Sequence, residues 1–520
     1  MCETYNWQKH CCKPTVHIWT IQTMITACFL ISNFIPHTQH SFTVVILVFA
    51  CHIWMYIVTE NLVVVQYDFF NQLAYNKCVL IKVCYKIMYI TCIQYHFIVL
   101  CVFTTEPEPF KEYTLYETSD FPGVADKAVL VFDLLKILLK KISQVGKSIK
   151  ELDQWPAMLH VCYVFMEPIS GHVQPNLWTN ETSQKTAKEC LDLLMKEFSC
   201  STVCKLLNLD TKHVLPVIEN DTSYNTAVKR SVFGKLLIQW KSNLQRNSWK
   251  LNPVTAFSFR WCLCQVEFPH LSNFIELTLP PVLQFLDDHT LENKMSGTKC
   301  LIHMLNNCGA EELRWNGRAE VIYSALKQQL LLTEDLLLPL THETMLLVLK
   351  ILVTNPSELG VTTKYDEVFT ILLQAARHEN KLTLRRIHTQ PLHVFIEELG
   401  INSVKYTKLI LEIFEEYLEI SDAPSELSRL NVLLAIKSFI RVTYPRINNY
   451  SRVLLKMMVK LLHEVTRKKL SIEDDVEKQL VNECKECIEL LKIVDESSMQ
   501  GSDSTCTKDE GPSQTCADGN

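Results

Sequence analysis

Between Gly123 and Glu496 apolar residues return every three or four positions, segment after segment, with charged residues on the opposite side. Such a chain can bury its apolar stripes only by laying amphipathic helices side by side. The clearest segment is Lys405 to Ile420. Tyr406, Leu409, Ile410, Ile413, Phe414, Tyr417 and Leu418 form one stripe, and Lys405, Lys408, Glu412, Glu415, Glu416 and Glu419 form its solvated back. Val453, Leu454, Met457, Met458, Leu461, Leu462 and Val465 repeat the pattern, as do Ala319, Ile322, Tyr323, Leu326 and Leu330.

Helix boundaries are marked along the way. Asp422 can cap a helix with Pro424 in its first turn, and Ser471 with Asp474 reads as a capping box. Gly309 and Gly400 sit where C-terminal glycines belong, and Pro280-Pro281, Pro356, Pro391 and Pro445 interrupt the intervals. The pattern predicts roughly fifteen to seventeen helices of about 12–20 residues, paired into antiparallel hairpins about every 35–45 residues. The expected fold is therefore all-α, a HEAT- or armadillo-like α-solenoid, with an irregular all-α domain as the alternative. Only 12 of 520 residues are glycine. That scarcity argues against Rossmann, P-loop and all-β folds, which use glycine for tight turns and phosphate cradles.

The helical pattern does not extend through the whole chain. Residues 1–105 contain no glycine or arginine and nine of the 21 cysteines; they carry a formal charge of +2 within a total of −6. Phe42 to Val58 is apolar except for Thr43 and His52. As a helix it would be about 25 Å long, near the lower limit for crossing a hydrocarbon core of ~30 Å. Three readings of 1–105 stand open: a membrane anchor, a buried part of the fold, or translated AT-rich non-coding sequence joined to a real exon. No secretory signal is recognised ahead of it, and the helical part is expected to be reduced and intracellular. Residues 106–122 read as a proline- and acid-rich linker, 123–496 as the helical array, and 497–520 as a polar, disordered tail.

Chemical motifs begin and then fail. Gly146-Lys147-Ser148 ends like a phosphate loop, but the required earlier glycine is Lys141 and a helix precedes it. His342-Glu343 lacks the second histidine of a zinc helix, since Leu346 stands there. Cys484 and Cys487 form one CxxC without a second pair, on a helical face beside Val481, Ile488 and Leu491, where packing is the simpler role. Cys262-x-Cys264 reads the same way. No nucleophile elbow or nucleotide loop is found, so no catalytic, cofactor-binding or metal residue is assigned and no cofactor is expected. Arg385-Arg386 and Arg467-Lys468-Lys469 read as solvated faces near helix ends, and the acidic balance gives no footprint for nucleic acid.

The segment Leu271–Leu330 has the HEAT arrangement of a proline in its first helix, acids at the turn (Asp287, Asp288) and a lysine, Lys294, early in the second. These carboxylates can meet the early N–H groups or the lysine of a neighbouring unit. The order Lys250-Leu-Asn-Pro253, Trp261-Cys-Leu-Cys-Gln-Val266, Leu279-Pro-Pro-Val-Leu283, Asp287-Asp288, Glu292-Asn293-Lys294, Gly297, Cys300-Leu301, His303, Ala310-Glu311-Glu312-Leu313 and Arg318-Ala319-Glu320-Val321-Ile322-Tyr323 resembles the Tel-two-interacting protein two (Tti-two) family. A fainter likeness covers about 124–495. The resemblance implies a non-enzymatic helical scaffold in the Triple-T complex with Tti-one and Tel-two, cytoplasmic and nuclear. That complex works with the heat-shock protein ninety machinery on the stability of phosphatidylinositol-3-kinase-related kinases in DNA-damage and target-of-rapamycin signalling. A membrane-anchored helical adaptor using 42–58 is the alternative. Asp287, Asp288, Glu292, Lys294, Arg318 and Tyr323 are the residues expected to matter, as ladder contacts between units or as partner contacts.

Overall fold

The structure, a computed structural model, describes residues 116–148, 155–211, 225–246, 248–467 and 474–503. The chain divides into two units, Met1–Cys84 and Tyr85–Asn520, and all described residues lie in the second. The hydrophobic run 42–58, the rest of segment 1–105 and the expected cap at Ser471 lie outside them.

Nineteen α-helices follow one another among the described residues: α1 (Val124–Ser148), α2 (Trp155–His172), α3 (Glu181–Glu197), α4 (Val203–Leu207), α5 (Thr226–Arg230), α6 (Val232–Trp240), α7 (Pro253–Leu263), α8 (Ile275–Leu286), α9 (Leu291–Asn307), α10 (Ala310–Arg314), α11 (Arg318–Gln329), α12 (Leu338–Leu352), α13 (Lys364–Arg377), α14 (Leu382–Thr389), α15 (Leu392–Leu399), α16 (Thr407–Glu419), α17 (Leu427–Thr443), α18 (Ser451–Arg467) and α19 (Asp474–Asp503). The β contact described is an isolated bridge between Asp210 and Ser231.

From α7 onward the helices form two layers. One layer holds α8, α11, α13, α16 and α18, which begin 43 to 46 residues apart. The other holds α7, α9, α12, α14 with α15, α17 and α19. Within each hairpin the layers meet: α8 packs on α9, α11 on α12, α13 on α15, α16 on α17 and α18 on α19. Along the layers α9 packs on α12, α15 on α17, α17 on α19, α13 on α16 and α16 on α18. This is the expected HEAT-like α-solenoid, each unit resting on its neighbours. The stripe in α16 is buried at Ile410, Ile413, Phe414, Tyr417 and Leu418, and one continuous core runs from Ala128 to Leu491. In α18 the stripe is narrower than expected, with Val453 on the outside.

Several local expectations change. More helices form than the periodicity predicts, because short ones of five residues (α4, α5 and α10) fill the connections. Gly309 is not a C-terminal glycine but the extended residue that starts α10, with φ −65°. Pro424 lies before α17, whose start is delayed to Leu427 because Glu426 takes a left-handed conformation with φ 48°. Asp422 still caps that helix from a distance, its Oδ2 accepting the Ser428 N–H at 3.1 Å. Pro280 and Pro281 sit inside α8, as the HEAT arrangement of this hairpin requires. The end of the expected linker is packed: Phe121 is buried edge-on to Trp178 at 5.4 Å, and the Tyr116 hydroxyl donates to the Lys250 carbonyl at 2.9 Å. At the other end α19 continues past Ser497 to Asp503.

Candidate functional site

The six expected residues separate into three that tie units together and three that do not. Asp288 is a buried hub in the turn between α8 and α9. Its Oδ1 lies 2.5 Å from Nζ of Lys250, a residue of the preceding unit. Its Oδ2 accepts from Thr290 Oγ1 at 2.7 Å and Asn293 Nδ2 at 2.8 Å. Burial alone would raise this carboxyl. Lys250, Asn293 and Thr290 outweigh it and hold the group well below the usual carboxylate range.

Arg318, the first residue of α11, reaches back one unit. Its Nη2 donates to Glu276 Oε1 at 3.0 Å across 42 residues of sequence, and Nη1 to the Glu312 carbonyl at 3.0 Å. Tyr323, one turn and a half along the same helix, reaches forward. Its hydroxyl donates to Glu367 Oε2 at 2.5 Å, across 44 residues, and Lys327 joins the same carboxylate. Lys364 returns the tie, donating to Glu320 Oε2 at 2.7 Å with its Nζ 4.4 Å from the Tyr323 ring centroid. Glu367 is lowered chiefly by its bond to Lys327, while burial and Glu367 raise the Tyr323 phenol. Asp287 and Glu292 are exposed and Lys294 half-buried, outside this network.

The same ties recur down the array. Tyr406 donates to Asp366 Oδ1 at 2.9 Å across 40 residues. Ser438 donates to Glu397 Oε1 at 2.6 Å across 41, and Lys460 pairs with Glu419 across 41. The spacing of these bonds equals one hairpin, so each polar side chain on the flank of a helix meets its counterpart in the next unit.

Sequence reasoning missed a second, buried charge cluster around α14 and α17. Arg385-Arg386 is not a solvated face. Arg385 is buried, its guanidinium carbon 3.7 Å from the Tyr417 ring centroid and Nη1 2.9 Å from Glu416 Oε1. Arg386 Nε bonds Asp422 Oδ2 at 2.8 Å. Arg429 is fully buried, with Nη2 3.2 Å from Glu464 Oε2 and Nε 3.5 Å from Glu426 Oε2. Buried ion pairs of this kind add little net stability, because desolvation offsets their attraction, but removing one partner strands a buried charge at considerable cost. The available signal was the spacing of Arg429, which lies three, four and seven residues before Val432, Leu433 and Ile436 and so on the apolar face of α17.

Of the abandoned motifs, the CxxC pair and His342 are packed groups, and Cys262 is buried, whereas Cys264, expected to pack, is exposed. Cys484 and Cys487 are buried, and burial pushes both thiols up to about 12. His342 is buried in α12 with its ring centroid 6.0 Å from that of His388 in α14; burial, then His388, brings it down to about 3. Among the described residues no three His, Cys, Asp or Glu side chains gather as a metal would require, and no helix is long and apolar enough to cross a membrane. A crevice between α16 and α18, lined by Glu415, Leu418, Lys456, Lys460 and Glu464, measures about 20 Å³, room for a single water. What the solenoid presents in quantity is surface: two long flanks and two edges of connecting loops.

Several known proteins resemble this chain. Among solved structures, yeast importin-β (Kap95p) superposes with a TM-score of 0.45 at 12% identity, over 78% of this chain and 45% of importin-β. TELO2-interacting protein 2 of Homo sapiens is 31% identical over 388 residues, 72% of this chain and 72% of its own length. The Mus musculus protein of the same name is 30% identical over 390 residues, 74% of this chain and 72% of its own. The profile of the Tti2 family matches residues 165–424, the stretch that holds the Asp288 hub and the Arg318 and Tyr323 ties. The chain belongs to the Tti2 family.

Proposed function

We propose that this chain is a non-enzymatic scaffold subunit that binds a TELO2 (Tel-two) counterpart and a Tti-one counterpart in a Triple-T complex. Its work there, alongside the heat-shock protein ninety machinery, is to sustain phosphatidylinositol-3-kinase-related kinases in DNA-damage and target-of-rapamycin signalling. It acts in the cytoplasm and nucleus. The observation that carries the reading is the ladder of one-hairpin ties from Asp288 to Lys460. Those residues spend their polar groups on rigidifying a long double layer, the property a scaffold needs. Kinship with proteins named for interaction with TELO2 points to the partner.

The test is co-expression of the tagged full chain with the TELO2 and Tti-one counterparts of the same organism, followed by purification and size-exclusion chromatography. A co-eluting assembly supports the reading, and recovery of the chain with neither partner sinks it. Depletion of the chain in cells should lower the abundance of the kinases without lowering their messenger RNA.

A further inference from the structure

Five connections lead from the second layer back to the first, and three of them lie in succession along one edge: 264–274, 308–317 and 353–363. Each exposes a large apolar side chain. Phe268 is 65% exposed, Trp315 69% and Leu359 74%. Trp315 is the centre of the three. It follows α10 directly, and two consecutive left-handed residues, Asn316 (φ 55°) and Gly317 (φ 66°), turn the chain into α11 beyond it. Beside it lies a shallow, open hollow lined by Glu311, Glu312, Arg314 and Trp315.

Side chains pin the connections to one another and to their neighbours. The Phe268 N–H donates to Asn307 Oδ1 at 3.3 Å and the Gly309 N–H to Ser272 Oγ at 2.9 Å. Arg314 Nε donates to the Ile351 carbonyl at 2.7 Å, at the end of α12 where the next connection begins. Asn402 Nδ2 holds the Glu358 carbonyl at 2.8 Å. The exposed side chains thus sit on a pre-organised edge, where docking orders little that is not already ordered. Exposed tryptophan on such a support is the residue type that most often dominates binding.

Charge narrows the occupant. Within the three connections the ionised groups are Glu267, Glu311, Glu312 and Glu358 against Arg314. Arg314 is engaged by Glu311, 2.6 Å away, and by the Ile351 carbonyl. An acidic rim around apolar anchors attracts cations and repels a second copy of itself. The chain's own residues 504–520 carry Asp509, Glu510 and Asp518 against Lys508 and contain no leucine, isoleucine, valine, methionine or aromatic residue, so they match neither the charge nor the hollow.

We infer that this edge docks a segment of a partner polypeptide that buries an apolar side chain against Trp315 and carries lysine or arginine beside it. The inference rests on the scaffold reading and locates one of its contacts.

The experiment uses the full chain reconstituted with its TELO2 and Tti-one counterparts. Trp315→Ala should weaken assembly at least ~30-fold, with Trp315→Phe intermediate, while circular dichroism and melting of the lone chain stay as in wild type. Glu311→Lys with Glu312→Lys should weaken it in low salt, by a margin that shrinks as salt is raised. Benzoylphenylalanine at position 315 should cross-link to a partner peptide bearing Lys or Arg, whereas the same probe at Leu336, exposed on the opposite edge, should not. Wild-type affinity in Trp315→Ala, or cross-links confined to a second copy or to the chain's own residues 1–115, would overturn the docking inference alone. Failure of the wild-type chain to assemble would remove the scaffold reading and the docking inference together.

Discussion

Gly297 offers a test in which two physical arguments predict opposite signs. It lies in the interior of α9, where replacing glycine with alanine stabilises an isolated helix by about 1 kcal/mol. Here α9 crosses α8 so closely that a Cβ at 297 would stand 2.6 Å from the Leu286 nitrogen and 3.0 Å from the Leu286 Cα. An ordinary contact needs about 0.8 Å more than the nearer distance, and the obstacle is helix backbone, which no rotamer change can move. Opening the α8–α9 seam by that amount forfeits roughly a quarter to a half of the dispersion energy of the atoms facing across it. Phe285, Val282, Leu301 and Met304, all buried, are the side chains concerned. Overpacking of this kind costs about 1–3 kcal/mol, and a backbone obstacle places Gly297→Ala at the upper end. Net of the propensity gain, the full chain should lose about 2 kcal/mol. Urea unfolding followed by circular dichroism at 222 nm measures it, with the slope unchanged and the midpoint lowered. A stabilised Gly297→Ala variant would refute the close approach of the two helices and with it the tight hairpin.

Other perturbations reach the remaining features. Asp288→Asn should cost about 2 kcal/mol at pH 7, because Lys250 loses a charge-assisted partner. Since the Asp288 carboxyl titrates below its unfolded value of ~3.9, that contribution is whole above pH 4 and fades as pH falls through the folded value, so wild-type and variant stabilities should converge in acid; parallel curves would contradict the assignment. His342 is neutral and buried with a value near 3 against ~6.5 when unfolded, so the fold loses stability as pH drops below 6.5 toward 3. His342→Leu should flatten that limb of the urea midpoint–pH curve, and an unaltered slope would show that the ring is not held neutral. Cys484 and Cys487, with thiols near 12, should react with a disulfide reagent at pH 8 only after urea is added, and rapid native labelling would argue for an accessible site instead.

The array was legible in the sequence because a solenoid repeats one physical requirement, an apolar stripe on every helix. The buried row Ala319, Ile322, Tyr323, Leu326 and Leu330 could be read off directly from its spacing. Asp288 was visible as an acid at a turn, with the lysine of a neighbouring unit as an expected partner. That lysine is Lys250 of the preceding unit, which could not be singled out beforehand because a contact across 38 residues leaves no trace in local periodicity. Arg385 and Arg386 were misread, and Arg429 overlooked, for the same reason. A guanidinium can be buried when a carboxylate meets it from another helix, and nothing in the flanking residues announces which. The exposed edge at Trp315 was equally silent, because a tryptophan in a helical sequence is most often core.

Every tie from Asp288 to Lys460 spans about one hairpin, none of them two. From α8 onward the array has no distant segment to wait for as it emerges from the ribosome: each new pair of rods can settle on the pair completed just before it, and growth proceeds like bricklaying from one end. The stalled or truncated product would then be a shorter wall whose last course is unfinished and sticky, rather than a formless coil.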